Sequence, residues 1–294
     1  MKTLVIGGTG LVGSQVAREL LQRNADVAVL TRSAEKAKAL PPGVGAVIGD
    51  LLRVDTVRSI FKGVEGVFLL NPASQTEAQE GLMAVTGARN AGVRRIVYQS
   101  IHDVDRAAFL PNFGPKVAIE GGVKASGIPY TIVRPNNFFQ VDPWFKDAMV
   151  QMGIYPQPLG SVGLSRVDIR DIAEVAAIAL TTGGHEGQTY NVVGPDVLTG
   201  PGTAEAWGKA LGREIRYAGE DMDAWEKQSL QYLPDWMVFE FRHMYEFFQK
   251  QGLVATREDL DRLTKVLGHP PRRFQDFVRQ TAETWTRTPS GVTA

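Results

Sequence analysis

A short apolar run, Thr3-Leu4-Val5-Ile6, ends against Gly7-Gly8-Thr9-Gly10-Leu11-Val12-Gly13, and no other stretch of the 294-residue chain narrows the fold so far. An apolar run without polar alternation suits a parallel strand buried on both faces. Beyond the glycines Val12, Val16 and Leu20 recur at i, i+4 and i+8, the stripe of a helix laid against a sheet. Strand, glycine turn and helix in this order predict a βα unit whose backbone N–H groups approach a pyrophosphate at the positive end of the helix. Glycines also mark ordinary turns, so the context carries the inference. A P-loop is excluded: Gly8 and Gly13 have its separation, but Ser14 stands where its lysine belongs. Gly7, Thr9, Gly10, Leu11, Val12 and Gly13 are the residues expected at a dinucleotide.

The same alternation continues. Strands are expected at Val27–Leu30, Ala46–Ile48, Gly66–Leu70, Arg95–Gln99 and Tyr130–Arg134, with helices at 54–61, 75–90 and 117–125 between them. Parallel strands need crossover helices of right-handed sense, so the pattern specifies an α/β, doubly wound parallel sheet. After Arg134-Pro135 the rhythm loosens into a helix at 169–180, a strand at 188–193, a helix at 203–211, a short strand at 214–217 and helical signals from Asp221 onward. The reading is a dinucleotide-binding domain over 1–155 and a smaller, mostly helical substrate lobe over 156–294. The lobe is interleaved with the first domain, residues 164–193 being candidates to complete the sheet. Residues 288–294 read as a frayed tail.

Composition removes several function classes. Lys plus Arg and Asp plus Glu are 32 each, so the formal charge is zero and no excess of cations exists to neutralise a nucleic-acid backbone. Without cysteine there is no disulfide, thiolate metal site or thiol nucleophile, and the four histidines form no zinc pattern, so no metal is expected. Apolar runs are far shorter than the ~20 residues of a membrane span, and with a strand pattern directly after Met1-Lys2 no signal peptide is expected. A cytoplasmic protein, monomeric or homodimeric, with a small-molecule partner is expected.

The end of the second strand chooses the dinucleotide. NAD sites place an acid there for the ribose hydroxyls, whereas this chain has Thr31-Arg32-Ser33, with Lys36 and Lys38 close by. Arg32 can bind a 2′-phosphate that an acid would repel, which makes NADP(H) the expected cofactor over NAD(H). A solvated arginine at a helix start is the plainer alternative.

Taken together the glycines, Arg32, Gly49-Asp50-Leu51, Asn71-Pro72, Gln99-Ser100, Lys116 and Arg134-Pro135-Asn136 resemble the NmrA-like group of atypical short-chain dehydrogenases/reductases, which have the Rossmann fold. The resemblance implies that Asp50 and Leu51 border the adenine, that Asn71 and Pro72 pass along the nicotinamide side, and that Lys116 holds the nicotinamide ribose. On residue chemistry alone Asp50 suits a helix cap equally well, and Lys116 a surface position.

The larger superfamily uses Tyr-x-x-x-Lys, and none of the seven tyrosines here has lysine four residues later; Asn112 stands four before Lys116. A simple ketone becomes an alkoxide on hydride addition and needs a proton as it forms, whereas a quinone gives a stabilised phenolate and an iminium or carbocation a neutral product, so these acceptors tolerate the loss of the tyrosine. Lys116, Ser100 and His102 are the candidate catalytic residues. Ser100 occupies the superfamily's catalytic serine position, and His102 lies two residues beyond it, where ligands collect in open sheets. The plainer readings are a strand-end serine satisfying backbone and a loop histidine paired with Asp103 or Asp105. Pro135 and Asn136 are expected at the cofactor. Asn137, Phe138, Phe109, Phe113, Trp144 and Tyr155 are expected around an apolar or aromatic substrate. The expected function is an NADPH-dependent oxidoreductase passing a hydride to a small apolar carbonyl, quinone or imine. The alternative is a non-catalytic NADP(H)-sensing regulator acting through a protein partner.

Overall fold

The computed structural model describes residues 1–287, so the expectation for the tail at 288–294 lies outside the described residues. The strands are Lys2–Val5 (β1), Asp26–Thr31 (β2), Val44–Ile48 (β3), Gly66–Leu69 (β4), Arg95–Gln99 (β5), Tyr130–Pro135 (β6), Ile154–Tyr155 (β7), Gln188–Val192 (β8) and Arg216–Tyr217 (β9). The helices are Leu11–Gln22 (α1), Ala34–Lys38 (α2), Val54–Ile60 (α3), Glu77–Asn90 (α4), Gly114–Ala125 (α5), Ile169–Thr181 (α6), Gly200–Leu211 (α7), Met222–Ser229 (α8), Asp235–Gln251 (α9), Arg257–Leu267 (α10) and Phe274–Arg287 (α11).

These elements form two compact units. One comprises Met1–Pro135, Ile169–Val192 and Asp261–His269, the other Asn136–Asp168, Val193–Leu260 and Pro270–Ala294. The sequence boundary at residue 155 therefore falls within the second unit. The chain leaves the sheet at Pro135, and the apolar pieces that follow pair with one another instead: Phe138 bridges Val167, and Leu164 bridges Leu198 and Leu253.

The first unit is built on a seven-stranded parallel sheet in the order β3-β2-β1-β4-β5-β6-β8. Leu4, Val67 and Ile96 are register partners on one face, fully buried under Val57, Ala84, Ala88, Ile119 and Val123 from α3, α4 and α5. On the opposite face α1 packs against α6, each with a continuous buried stripe. That burial of aliphatic surface, roughly 25 cal/mol per Å², is the main favourable contribution to this unit's fold. Strand order reverses between β1 and β4, which puts the switch point, where ligands bind in open sheets, at their carboxyl ends.

In the second unit β7 pairs with β9 in a two-stranded parallel ribbon that alternation in the sequence does not reveal. Helices α7 and α11 pack together through Trp207 and Trp285, stacked with centroids 4.8 Å apart. Helix α8 packs on α9 through Trp225 and Tyr245. Among the described residues no helix is long and apolar enough to cross a membrane.

Candidate cofactor cleft and active site

A cleft of about 540 Å³ opens in the first unit at the carboxyl ends of β1, β2 and β4. Its floor is the glycine turn. Gly7 has φ +80°, and a Cβ there would lie 2.5 Å from the Leu70 carbonyl oxygen; a Cβ on Gly13 would lie 2.3 Å from that of Gly7. The turn thus closes only with glycine at both places, and it holds the backbone bare where the cleft begins. Gly10 is the N-cap of α1 and no side chain caps the helix, so the first-turn N–H groups are available to an anion. Val12 is buried against the sheet while Leu11 is exposed beside the turn.

Arg32, Ser33 and Lys36 line one end of the cleft. The Ser33 hydroxyl accepts from the Lys36 backbone N–H at 3.2 Å and so starts α2, a short helix that places Lys36 beside Arg32. Asp50 and Leu51 line the adjoining wall. The Asp50 carboxylate accepts from the Leu52 N–H at 2.9 Å, closing its own turn, while the N-cap of α3 is Arg53. The helix-cap reading of Asp50 is therefore replaced by a turn one step earlier, because the chain needs Gly49-Asp50 to leave β3 before α3 can begin.

Asn71, Pro72 and Glu80 line the opposite side. Asn71 is 3% exposed, and both its amide oxygen and its amide nitrogen lack a hydrogen-bond partner among the described residues. Leaving such a group unsatisfied is costly unless a ligand or water completes it. The orphaned amide, the bare glycine turn and the uncapped helix together fit a dinucleotide.

Beyond this wall α5 carries Lys116, whose Nζ donates to Glu77 Oε1 at 2.6 Å. The side chains are 16% and 3% exposed, so Lys116 is not a surface lysine. Burial pushes the Glu77 carboxyl above its usual range, with Lys116 opposing and Glu80 adding to the rise. Tyr98, on β5 beneath them, is fully buried. Burial and the carboxylates of Glu77 and Glu120 push its hydroxyl well above the usual tyrosine range.

Ser100 ends β5, buried, its N–H bonded to the Val133 carbonyl at 2.8 Å. Its hydroxyl is buried and has no hydrogen-bond partner among the described residues. The Glu120 carboxyl, on α5, has its pKa lowered: burial works against ionisation, but hydrogen bonds from Arg134 and Lys124 outweigh it. Arg134 reaches Glu120 through Nε and Nη2, both at 2.8 Å. His102 is also buried; its N–H bonds to the Pro135 carbonyl at 2.9 Å, and its Nε2 stands 3.8 Å from Asp103 Oδ1. Of the two acids offered for it, Asp105 is committed to Arg134 at 2.9 Å.

The residues expected around substrate divide between the units. In the first, Phe109 is exposed, whereas Phe113 is fully buried. In the second, Trp144 is exposed and Phe138 half-buried. Tyr155 is fully buried, and its hydroxyl donates to Asp142 at 3.0 Å. Asn137 Oδ1 accepts from Arg166 Nε at 2.8 Å. The Asn136 amide is engaged at both ends, donating to the Leu253 carbonyl at 2.7 Å and accepting from the Asn137 N–H at 2.7 Å. These bonds hold the turn after β6, as an amide buried at a strand end takes the nearest backbone partners.

Sequence reasoning passed over Glu77 and Glu80, since acids in the first turn of a helix are ordinary complements to its dipole. It also passed over Glu120 and Arg166, which carry no motif. Among the described residues no group of three His, Cys, Asp or Glu side chains could hold a metal ion.

Comparison with known proteins adds to this geometry. The chain is 33% identical over 281 residues to the NAD(P)H azoreductase of Xenophilus azovorans, covering 94% of this chain and 96% of that protein. It is 30% identical over 283 residues to the (4-alkanoyl-5-oxo-2,5-dihydrofuran-3-yl)methyl phosphate reductase of Streptomyces griseus, covering 95% and 98%. The crystal structure of Citrobacter sp. triphenylmethane reductase complexed with NADP(H) has the same fold, with a TM-score of 0.83 at 23% identity over 95% of this chain and 99% of that one. Residues 1–269 match the NmrA-like family, and the chain belongs to it.

Proposed function

We propose that the chain is an NADPH-dependent reductase that delivers a hydride to a small acceptor whose reduced form is a delocalised anion or neutral: a quinone, an azo dye or a protonated imine. The uncapped glycine turn opening beside Arg32 and Lys36 is the observation that carries this reading. Bound in the cleft, NADPH supplies the hydride.

The chain's own residues bind and orient. The first-turn N–H groups of α1 take the pyrophosphate. Arg32 and Lys36 take the 2′-phosphate, and no acid at the end of β2 opposes them. Asp50 and Leu51 border the adenine. Asn71 meets the nicotinamide side, where its amide finds the partners it lacks. The Lys116 ammonium donates to the hydroxyls of the nicotinamide ribose, so that one face of the ring is presented to the acceptor. Ser100, whose buried hydroxyl lacks a partner, and His102 follow one another at the carboxyl end of β5 and would meet the acceptor from this unit. The delocalised anion from a quinone or azo dye, and the neutral amine from a protonated imine, need no proton held ready by the protein, which suits a chain without Tyr-x-x-x-Lys. The similarity to an NAD(P)H azoreductase supports this acceptor class.

The test is a panel of quinones, azo dyes, imines and simple ketones with NADPH, followed by loss of nicotinamide absorbance. Turnover is expected with the first three classes and little with ketones. Tight NADPH binding without turnover of any acceptor would favour the regulatory reading.

A further inference from the structure

Glu77 is the first residue of α4, and it meets Lys116 from the adjacent helix 39 positions along the chain. The pair is short and shielded, at 2.6 Å with side chains 3% and 16% exposed. One turn further along α4, Glu80 lines the dinucleotide cleft, its Oε1 accepting from Thr76 Oγ1 at 2.8 Å. The α4 first turn thus joins the Lys116 anchor to the cleft wall. The groups facing Glu77 are Lys116 from α5, Glu80 from its own helix and Tyr98 from β5. Lys116 is the only cation among them, so the carboxylate has one charge partner.

An ammonium carries three N–H donors. Glu77 takes one, and that bond fixes the direction of the other two on a side chain with four rotatable bonds. We propose that Glu77 is a positioning residue for the cofactor, holding the Lys116 ammonium so that its two remaining donors face the vicinal hydroxyls of the nicotinamide ribose. The proposal rests on the reading that Lys116 binds that ribose. In this role Glu77 touches neither cofactor nor acceptor.

Equilibrium binding tests it on the full chain, with two probes: NADPH, and 2′,5′-ADP, which has the phosphate-bearing adenosine half but no nicotinamide ribose. Glu77→Gln should weaken NADPH about tenfold and leave 2′,5′-ADP unchanged. Glu77→Asp, which keeps the charge one methylene short, should weaken NADPH only about threefold. The double variant Glu77→Gln/Lys116→Met should bind NADPH no worse than Lys116→Met alone, because the two residues act as one unit. If Lys116→Met weakens NADPH while both Glu77 variants bind as the parent does, the positioning role is overturned and the ribose reading stands. If Lys116→Met binds NADPH normally, the ribose reading fails and takes the proposal with it. Equal weakening of both probes by the Glu77 variants would mark Glu77 as a structural residue only and overturn the proposal. Should Glu77→Gln not fold, the Asp variant with the same two probes separates these outcomes.

Discussion

Arg166 and Asp142 form an ion pair at 2.7 Å with both side chains wholly inaccessible. Every remaining polar direction around it is occupied. Trp207 Nε1 donates to Asp142 Oδ2 at 2.8 Å and Gln157 Nε2 to Oδ1 at 2.9 Å. Arg166 donates to Asn137 Oδ1 at 2.8 Å and to the Phe138 carbonyl at 2.7 Å. Burial works against the guanidinium charge, yet Asp142 beside it holds the arginine more firmly ionised than usual. Two desolvated charges survive together only because each is fully hydrogen-bonded. The pair ties the turn after β6 to Trp207 on α7, and so shapes the second unit around Asn137 and Phe138.

Removing one member should therefore cost far more than a surface ion pair. Arg166→Met leaves the Asp142 carboxylate buried without its cation and should destabilise the chain by about 3–5 kcal/mol. Chemical denaturation measures it. A loss under about 1 kcal/mol, the range of exposed pairs, would contradict the picture.

Arg32 is exposed at the cleft mouth and, among the described residues, has no ion-pair partner. Arg32→Ala should weaken NADPH binding by roughly 1–3 kcal/mol and leave NADH nearly unchanged. Titration calorimetry with both cofactors decides it, and equal losses would remove Arg32 from recognition of the 2′-phosphate.

Gly13 lies in α1, where alanine would ordinarily stabilise by about 1 kcal/mol. Here a Cβ would press within 2.3 Å of the Gly7 carbonyl oxygen and 2.8 Å of the Gly8 Cα, backbone atoms that cannot yield without reshaping the turn. Gly13→Ala should lower Tm and weaken NADPH binding by more than about tenfold. A raised Tm with intact affinity would show that the turn tolerates the shift.

The Glu120 carboxyl is held below its ordinary pKa because hydrogen bonds from Arg134 and Lys124 overcome its burial. A depressed carboxylate contributes stability that is complete above its unfolded pKa and lost as pH falls through the lower folded value. Acidification from neutral pH should therefore strip this contribution from the parent protein below the usual carboxylate range, while Glu120→Gln should lack that part of the acid response. Thermal melts of the two proteins over an acid series check it. Parallel curves would show that Glu120 is not among the groups that set acid stability.

The βα alternation, the glycine turn and the basic end of β2 were all legible in the chain itself. Periodicity reports which face of an element is apolar, and glycine reports where backbone must approach backbone. Both are local properties, so the sequence by itself determined the doubly wound sheet and the dinucleotide turn. Tertiary structure decided what periodicity cannot express, namely which faces meet. It placed β4 beside β1 and took 136–168 out of the sheet. It also turned four ordinary-looking charges into buried ones. Glu77, Glu120, Asp142 and Arg166 read as surface residues in a sequence, because a charge is expected in water unless a partner is known. Their partners lie 39, 14, 24 and 24 positions away, and only the folded chain brings them within hydrogen-bond reach.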